Sequence, residues 1–263
     1  MSGAGLLTKI ARLLKAQYLV HNQGQTPFAP IGPQDWASGE ELVIDADDQL
    51  ANVKAAAAAQ RYGRYIIRFQ DWNIYCHDLL SFYMAAKDIF LRHIYDFTSS
   101  VSAPRIIDGG GHIGLFTLAA KRKYPNARIS IFEPDPLALM LLRKNLAANN
   151  ITDAEVIDAG LFKKEALLPF AGDNSDGGSF FLHNTAPTQA RTVSLSLLLQ
   201  DEVDFVKLNI EGAEFDVVKE ISPRLRKIRE MVIEYHAFPE LGQRLHELLG
   251  LLHGAGFRYL IHD

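Results

Sequence analysis

Apolar positions along this chain change period several times, and each change marks an element. Between residues 5 and 20, Leu6, Leu7, Ile10, Leu13 and Leu14 recur at helical spacing, with Lys9, Arg12 and Lys15 opposite them, so the pattern predicts an amphipathic helix. Residues 21–40 are rich in Pro, Gly and Gln and predict a linker. The alanine run at 55–59 favours a helix over 50–60. Residues 65–69 and 73–77 are β-rich and flank Gln70, Asp71 and Trp72, which predicts a hairpin. Helical spacing of apolar residues returns over 79–97.

From residue 105 short apolar strands and helices alternate. Strands are predicted at 105–108, 128–133, near 155–158, at 203–209 and at 230–235. Helices are predicted at about 113–123, from Pro136 onward, at 213–221 and at 240–253. Asp135 and Pro136 are the N-cap and first-turn residues expected of a helix start. A polar stretch up to about 193 holds further short strand candidates, and 259–262 is a last one. Such alternation predicts a mostly parallel sheet with helices on both faces. The chain therefore divides into an N-terminal extension, 1–100, and a Rossmann-like α/β domain, 101–263. No internal repeat is visible.

Composition narrows the class. Of 263 residues 48% are hydrophobic and 22% charged, the mix of a soluble globular protein. The net charge of −4 gives no global case for nucleic acid as partner. Cys76 is the only cysteine, which rules out an intramolecular disulfide and a cysteine-based metal cluster, and fits a reducing, cytoplasmic setting. No stretch predicts a transmembrane span, and Lys9, Arg12 and Lys15 interrupt the first apolar run, which argues against a signal peptide. Three basic residues are too few for stable membrane insertion or firm surface binding by that helix. It is better read as docked on its own chain or as a homodimer element.

The strongest chemical signal is Asp108-Gly109-Gly110-Gly111-His112-Ile113-Gly114, between a strand and a helix. Glycines let the backbone turn tightly and approach a ligand, and the helix start offers unpaired N–H groups. Glu133 closes the next strand, 133 − 108 = 25 residues on, where a carboxylate can accept hydrogen bonds from ribose hydroxyls. Asp108 at the strand end would repel a pyrophosphate and suit a cationic amino group. That favours S-adenosylmethionine over NAD as the adenosine ligand. Pro134, and Asp158 at the third strand's end, are candidates for the adenine end. Tyr83 and Lys87 share the Tyr-x-x-x-Lys spacing of some dehydrogenases but precede the glycine loop, so they read as one helix face.

Four further stretches complete a set: 131–136 (IFEPDP), Asn145-Leu146 with Asn149, 206–214 (VKLNIEGAE) and 232–236 (VIEYH). With the glycine loop, and over roughly residues 105–236, they resemble the FkbM family of methyltransferases. The resemblance implies a class I methyltransferase fold, S-adenosylmethionine as donor and a sugar or polyketide-like hydroxyl as acceptor. The chain departs from the family's pattern at three places. His112 stands where Asn is common, Asn209 where Asp is usual, and Ser196 where a Leu-Asp pair places its Asp. The chain also ends near the sixth of the usual seven strands, leaving the seventh either missing or replaced by the N-terminal part.

Methylation of an alcohol is an in-line displacement that needs alignment and a proton acceptor. Asn209 and Glu211 follow one strand, Glu234 and His236 close the next, and neighbouring parallel strands would bring all four to one site. They are the catalytic candidates, with His236 as a base at neutral pH and Asn209 also a cofactor contact. Lys207, inside its strand, is expected to pair with a carboxylate. Trp72, His183 and Tyr235 are weaker candidates for contacting a small-molecule acceptor. A metal held by Asn209, Glu211, Glu234 and His236 has no diagnostic spacing in its favour, and none is predicted. The rivals are an NAD(P)-dependent oxidoreductase on the same architecture and a binding protein that has lost activity.

Overall fold

A computed structural model of the chain describes residues 9–15, 36, 39–172, 178–181, 188–238 and 242–262. The first half forms β1 (Lys9–Lys15), β2 (Leu42–Asp45), α1 (Ala51–Ala59), β3 (Tyr62–Phe69), β4 (Trp72–Asp78) and α2 (Leu79–Ala86). The next elements are β5 (Arg105–Gly109), α3 (Leu115–Lys123), β6 (Arg128–Phe132), α4 (Pro136–Ala148) and β7 (Glu155–Ile157). The last are β8 (Gly160–Phe162), β9 (Ala166–Phe170), β10 (Thr188–Ser194), β11 (Val203–Leu208), α5 (Glu214–Glu220), β12 (Ile228–Tyr235), α6 (Leu245–Gly254) and β13 (Phe257–His262).

Seven strands make one sheet in the order β13-β1-β12-β11-β5-β6-β7, and every pairing in it is parallel. The chain runs outward from β5 through β6 to β7, then crosses to the other side of β5 for β11 and β12. The crevice above β5 and β11 is therefore the switch point, where open α/β sheets place ligands. This is the Rossmann-like α/β arrangement expected from the sequence. A smaller sheet, β8-β10-β9, follows β7, and the hairpin β3–β4 with β2 forms a third.

Two expectations about local structure are corrected. Within 5–20, residues 9–15 form strand β1 rather than a helix. Ala11 and Leu13 alternate into the core, and Arg12 on the opposite face pairs with Glu230 at 2.8 Å. Seven residues satisfy both a 2.0 and a 3.6 period, and two open neighbours, β12 and β13, decide between them. β1 thus fills the place between those strands, so the N-terminal part supplies the seventh strand. Built into the sheet, it is not available as a dimerisation helix. The helix expected over 79–97 is shorter: α2 passes into a π-helical turn, Lys87–Leu91, and His93 at φ 54 ends it. Most of the 21–40 linker lies outside the described residues.

Both sheet faces are covered. On one face Phe205 and Val232 pack with α3, α4 and the hairpin residues Tyr65, Ile67 and Ile74. On the other, Leu13, Val206, Met231 and Ile233 pack with α5 and α6. Asp135 caps α4, accepting from Leu137 N and Ala138 N, with Pro136 in the first turn as predicted. At the hairpin turn Trp72 lies under the Arg122 guanidinium of α3, 3.5 Å from the ring centroid, and Asp71 and Gln70 also bond that Arg. Among the described residues no helix is long and apolar enough to cross a membrane.

Candidate functional site

The glycine loop leaves β5 at the switch point and is held from below. Asp108 is fully buried; Lys207 Nζ meets its Oδ1 at 3.0 Å, and Thr117 Oγ1 donates to its Oδ2 at 3.0 Å. Lys207 also donates to the Gly110 carbonyl at 2.6 Å. This corrects the expectation that Asp108 offers its charge to a ligand: Lys207 takes that charge, and the pair braces the loop. Lys207 does pair with a carboxylate, as the sequence suggested.

Gly110 has φ 78, and a Cβ there would overlap the Asn209 carbonyl oxygen. The loop after β5 therefore lies directly against the end of β11, where Asn209 N donates to the Gly109 carbonyl at 3.1 Å. His112 is also left-handed (φ 46), and Gly114 (φ 91) leads into α3 without a side-chain cap. First-turn N–H groups left without a side-chain cap suit an incoming ligand.

Glu133 sits beneath this loop. Its Oε2 accepts from His112 N at 2.7 Å and its Oε1 from Asp135 N at 2.8 Å. Burial, then the Asp135 carboxylate, raises its pKa to about 8, against the opposing pull of these N–H groups and of Lys207. Pro134 and Phe180 converge on Gly160, next to the end of β7, with exposed Asp158 close by in sequence.

Across the crevice, Glu211 (φ 51) and Gly212 (φ 101) are consecutive left-handed residues. A side chain at 212 would strike the ring of Phe238. Glu214, fully buried in the first turn of α5, braces this turn by accepting from Ile210 N and Gly212 N, each at 3.1 Å. On the other side Ser179 Oγ donates to the Glu211 carbonyl at 2.6 Å. His236 stands between two carboxylates, with Nδ1 2.9 Å from Glu214 Oε1 and Nε2 3.3 Å from Glu211 Oε1. Burial alone would lower its pKa, but Glu214 and then Glu211 outweigh that and raise it to about 10. The expectation of His236 as a base at neutral pH is thus corrected: it is an imidazolium there, a donor rather than an acceptor.

Glu234 accepts from the Tyr95 hydroxyl at 2.7 Å, with the Asn209 side chain alongside. Asn209 Oδ1 is buried and has no hydrogen-bond partner among the described residues, an acceptor left unsatisfied. The four residues predicted to share a site are thus together. Tyr95, Glu214 and Ser179 were missed. Glu214 only closes the stretch 206–214 in sequence, and Tyr95 and Ser179 lie far from their partners along the chain. Trp72 lies at the far end of α3 from the glycine loop, and the Tyr235 hydroxyl accepts from Arg244 N at 2.9 Å. His183 lies outside the described residues.

The family described as the methyltransferase FkbM domain matches residues 108–259, more than half of the chain. The chain is similar to methyltransferase sdnD of Sordaria araneosa, 40% identical over 101 residues, or 35% of this chain and 39% of that protein. It is also similar to methyltransferase 1 of Beauveria bassiana (strain ARSEF 2860), 28% identical over 160 residues, or 51% of this chain and 64% of that one. The chain thus spans less than two thirds of either relative. Among solved structures, methyltransferase FkbM from Methylobacillus flagellatus KT superimposes with a TM-score of 0.43 at 16% identity, covering 78% of this chain and 54% of that one.

Proposed function

Since the chain belongs to the methyltransferase FkbM family, we propose that it transfers a methyl group from S-adenosylmethionine to a hydroxyl oxygen of a small molecule. The observation that carries this reading is the direct contact of the glycine loop with the end of β11 at Gly109 and Gly110. A nucleoside held by that loop would lie beside the carboxylate–imidazolium cluster on the adjoining strand ends. The residues present fit the donor. Glu133 would take the ribose hydroxyls, Gly109, Gly110, Gly111, His112 and Gly114 would let the ligand approach the start of α3, and Pro134 and Asp158 would border the adenine. The unpaired Asn209 Oδ1 would accept from the amino group of the methionine part. When bound, S-adenosylmethionine supplies a methyl carbon on a sulfonium, an electrophile.

The acceptor side falls to the chain's own carboxylates. Glu211 takes the hydroxyl proton as the oxygen attacks, held in place by the His236 imidazolium, which Glu214 fixes from behind. Glu234, held by Tyr95, lines the same space.

Calorimetric titration with S-adenosylmethionine, S-adenosylhomocysteine, NAD and NADP tests the donor. Binding of the two sulfur nucleosides, lost in Glu133→Ala and absent for the dinucleotides, is the expected result. Binding of NAD or NADP alone would overturn the proposal. Labelled methyl transfer to a panel of alcohols and amines tests the acceptor, and labelling of amines only would replace oxygen by nitrogen.

A further inference from the structure

Asn145, in the last turn of α4, and Asn149, the residue that caps its C-terminus, lie four residues apart, and both turn their amides onto β4. Asn145 accepts from Tyr75 N at 2.6 Å and donates to the Tyr75 carbonyl at 3.0 Å. Asn149 accepts from Asn73 N at 3.1 Å and donates to the Asn73 carbonyl at 2.9 Å. Four residues along a helix rise about 6 Å, and two along a strand about 7 Å, so the amides match the repeat of a strand edge. Together they pair the outer edge of the hairpin much as another strand would.

The two residues differ in their third bond, which for Asn149 Nδ2 goes to the Asn145 carbonyl at 2.7 Å. Asn145 Nδ2 also donates to the Ile113 carbonyl at 2.8 Å. That carbonyl belongs to the peptide before Gly114, the N-cap of α3. Asn145 is fully buried, and both its amide hydrogens and its oxygen are engaged. No other common side chain of that length offers two donors and an acceptor there.

We propose that Asn145 is a positioning residue for the glycine loop: it fixes the Ile113–Gly114 peptide, hence the N–H groups that open α3, and couples the N-terminal hairpin to them. The assignment rests on the reading that this loop holds S-adenosylmethionine. Asn149 docks the same hairpin without touching the loop, so it is the internal control.

The experiment compares wild type, Asn145→Ala and Asn149→Ala for melting temperature and for S-adenosylhomocysteine affinity by calorimetry. Both variants should melt lower. Affinity should fall on the order of tenfold in Asn145→Ala, the scale of one lost oriented hydrogen bond, and stay within about twofold in Asn149→Ala. Equal affinities in the two variants would overturn the assignment. If Asn145→Ala does not fold, amide exchange on wild type decides. Saturating S-adenosylhomocysteine should slow exchange of Tyr75 N–H more than that of Asn73 N–H, and equal slowing overturns the assignment. Wild type that does not bind the nucleoside overturns the donor reading and this assignment with it. Wild-type binding with Asn145→Ala unaffected overturns this assignment alone.

Discussion

Glu133 carries two opposed demands. Two backbone N–H groups favour its carboxylate, while burial and Asp135 favour the acid, and burial dominates, giving a pKa of about 8. A pKa raised on folding means that the group's contribution is fully present below about 4.5 and is lost as pH rises through 8. Glu133→Gln should therefore gain stability relative to wild type between pH 5 and 8.5, as read by urea melts at both values. A difference that stays constant over that range would mean that the carboxylate is the form the fold favours. His236 is the opposite kind of group, a base raised from 6.5 to about 10 by Glu214 and Glu211 against its own burial. Its stabilisation is complete below about 6.5 and disappears as pH rises through 10. In a proton NMR titration its ring signals should hold still from pH 6 to 9, whereas a midpoint near 6.5 would show that it is not held between two carboxylates. The sequence disclosed Glu133 and His236 because each closes a strand. It did not disclose their charge states, because those depend on Glu214, Asp135 and burial, which no spacing encodes.

At the scale of elements, the sequence was most legible where caps and glycines punctuate it. The α4 start at Asp135 and Pro136 and the turn after β5 were found in this way. It was least legible at β1, where a short basic-apolar stretch suits two periods and only the strands on either side choose. That choice has a measurable consequence. Leu13, 1% exposed and in register with Ile233 of β12 and Ile261 of β13, sits inside the sheet. Leu13→Ala should cost about 2–4 kcal/mol in chemical denaturation, the range for a buried leucine truncated where neighbours cannot collapse. A loss near zero would be the mark of a surface-docked segment and would remove β1 from the sheet.

Across the whole molecule, the division at residue 100 drawn from the sequence meets a core that does not divide there. Phe97 stacks on Phe205 of β11 with ring centroids 4.2 Å apart, and Tyr95 packs edge-on to Phe116 of α3 at 5.8 Å. One buried cluster runs from the hairpin through α3 and α4 to β11 and β12. The polar contacts cross the same line, from Tyr95 to Glu234 and from Tyr75 to Asn145. Extensions bound by so much apolar area and by buried hydrogen bonds have little stability of their own to unfold separately. Both tryptophans, Trp36 and Trp72, are buried in the part before residue 100, so fluorescence reports on that part, while far-UV circular dichroism is weighted by the large sheet and its helices. The two signals should lose structure at one temperature, and S-adenosylhomocysteine should raise both midpoints equally, although the proposed nucleoside contacts all lie after residue 100. A fluorescence transition that comes first and ignores the nucleoside would make the N-terminal part a separate unit. The hairpin would then be a passenger on the methyltransferase fold and not part of its support.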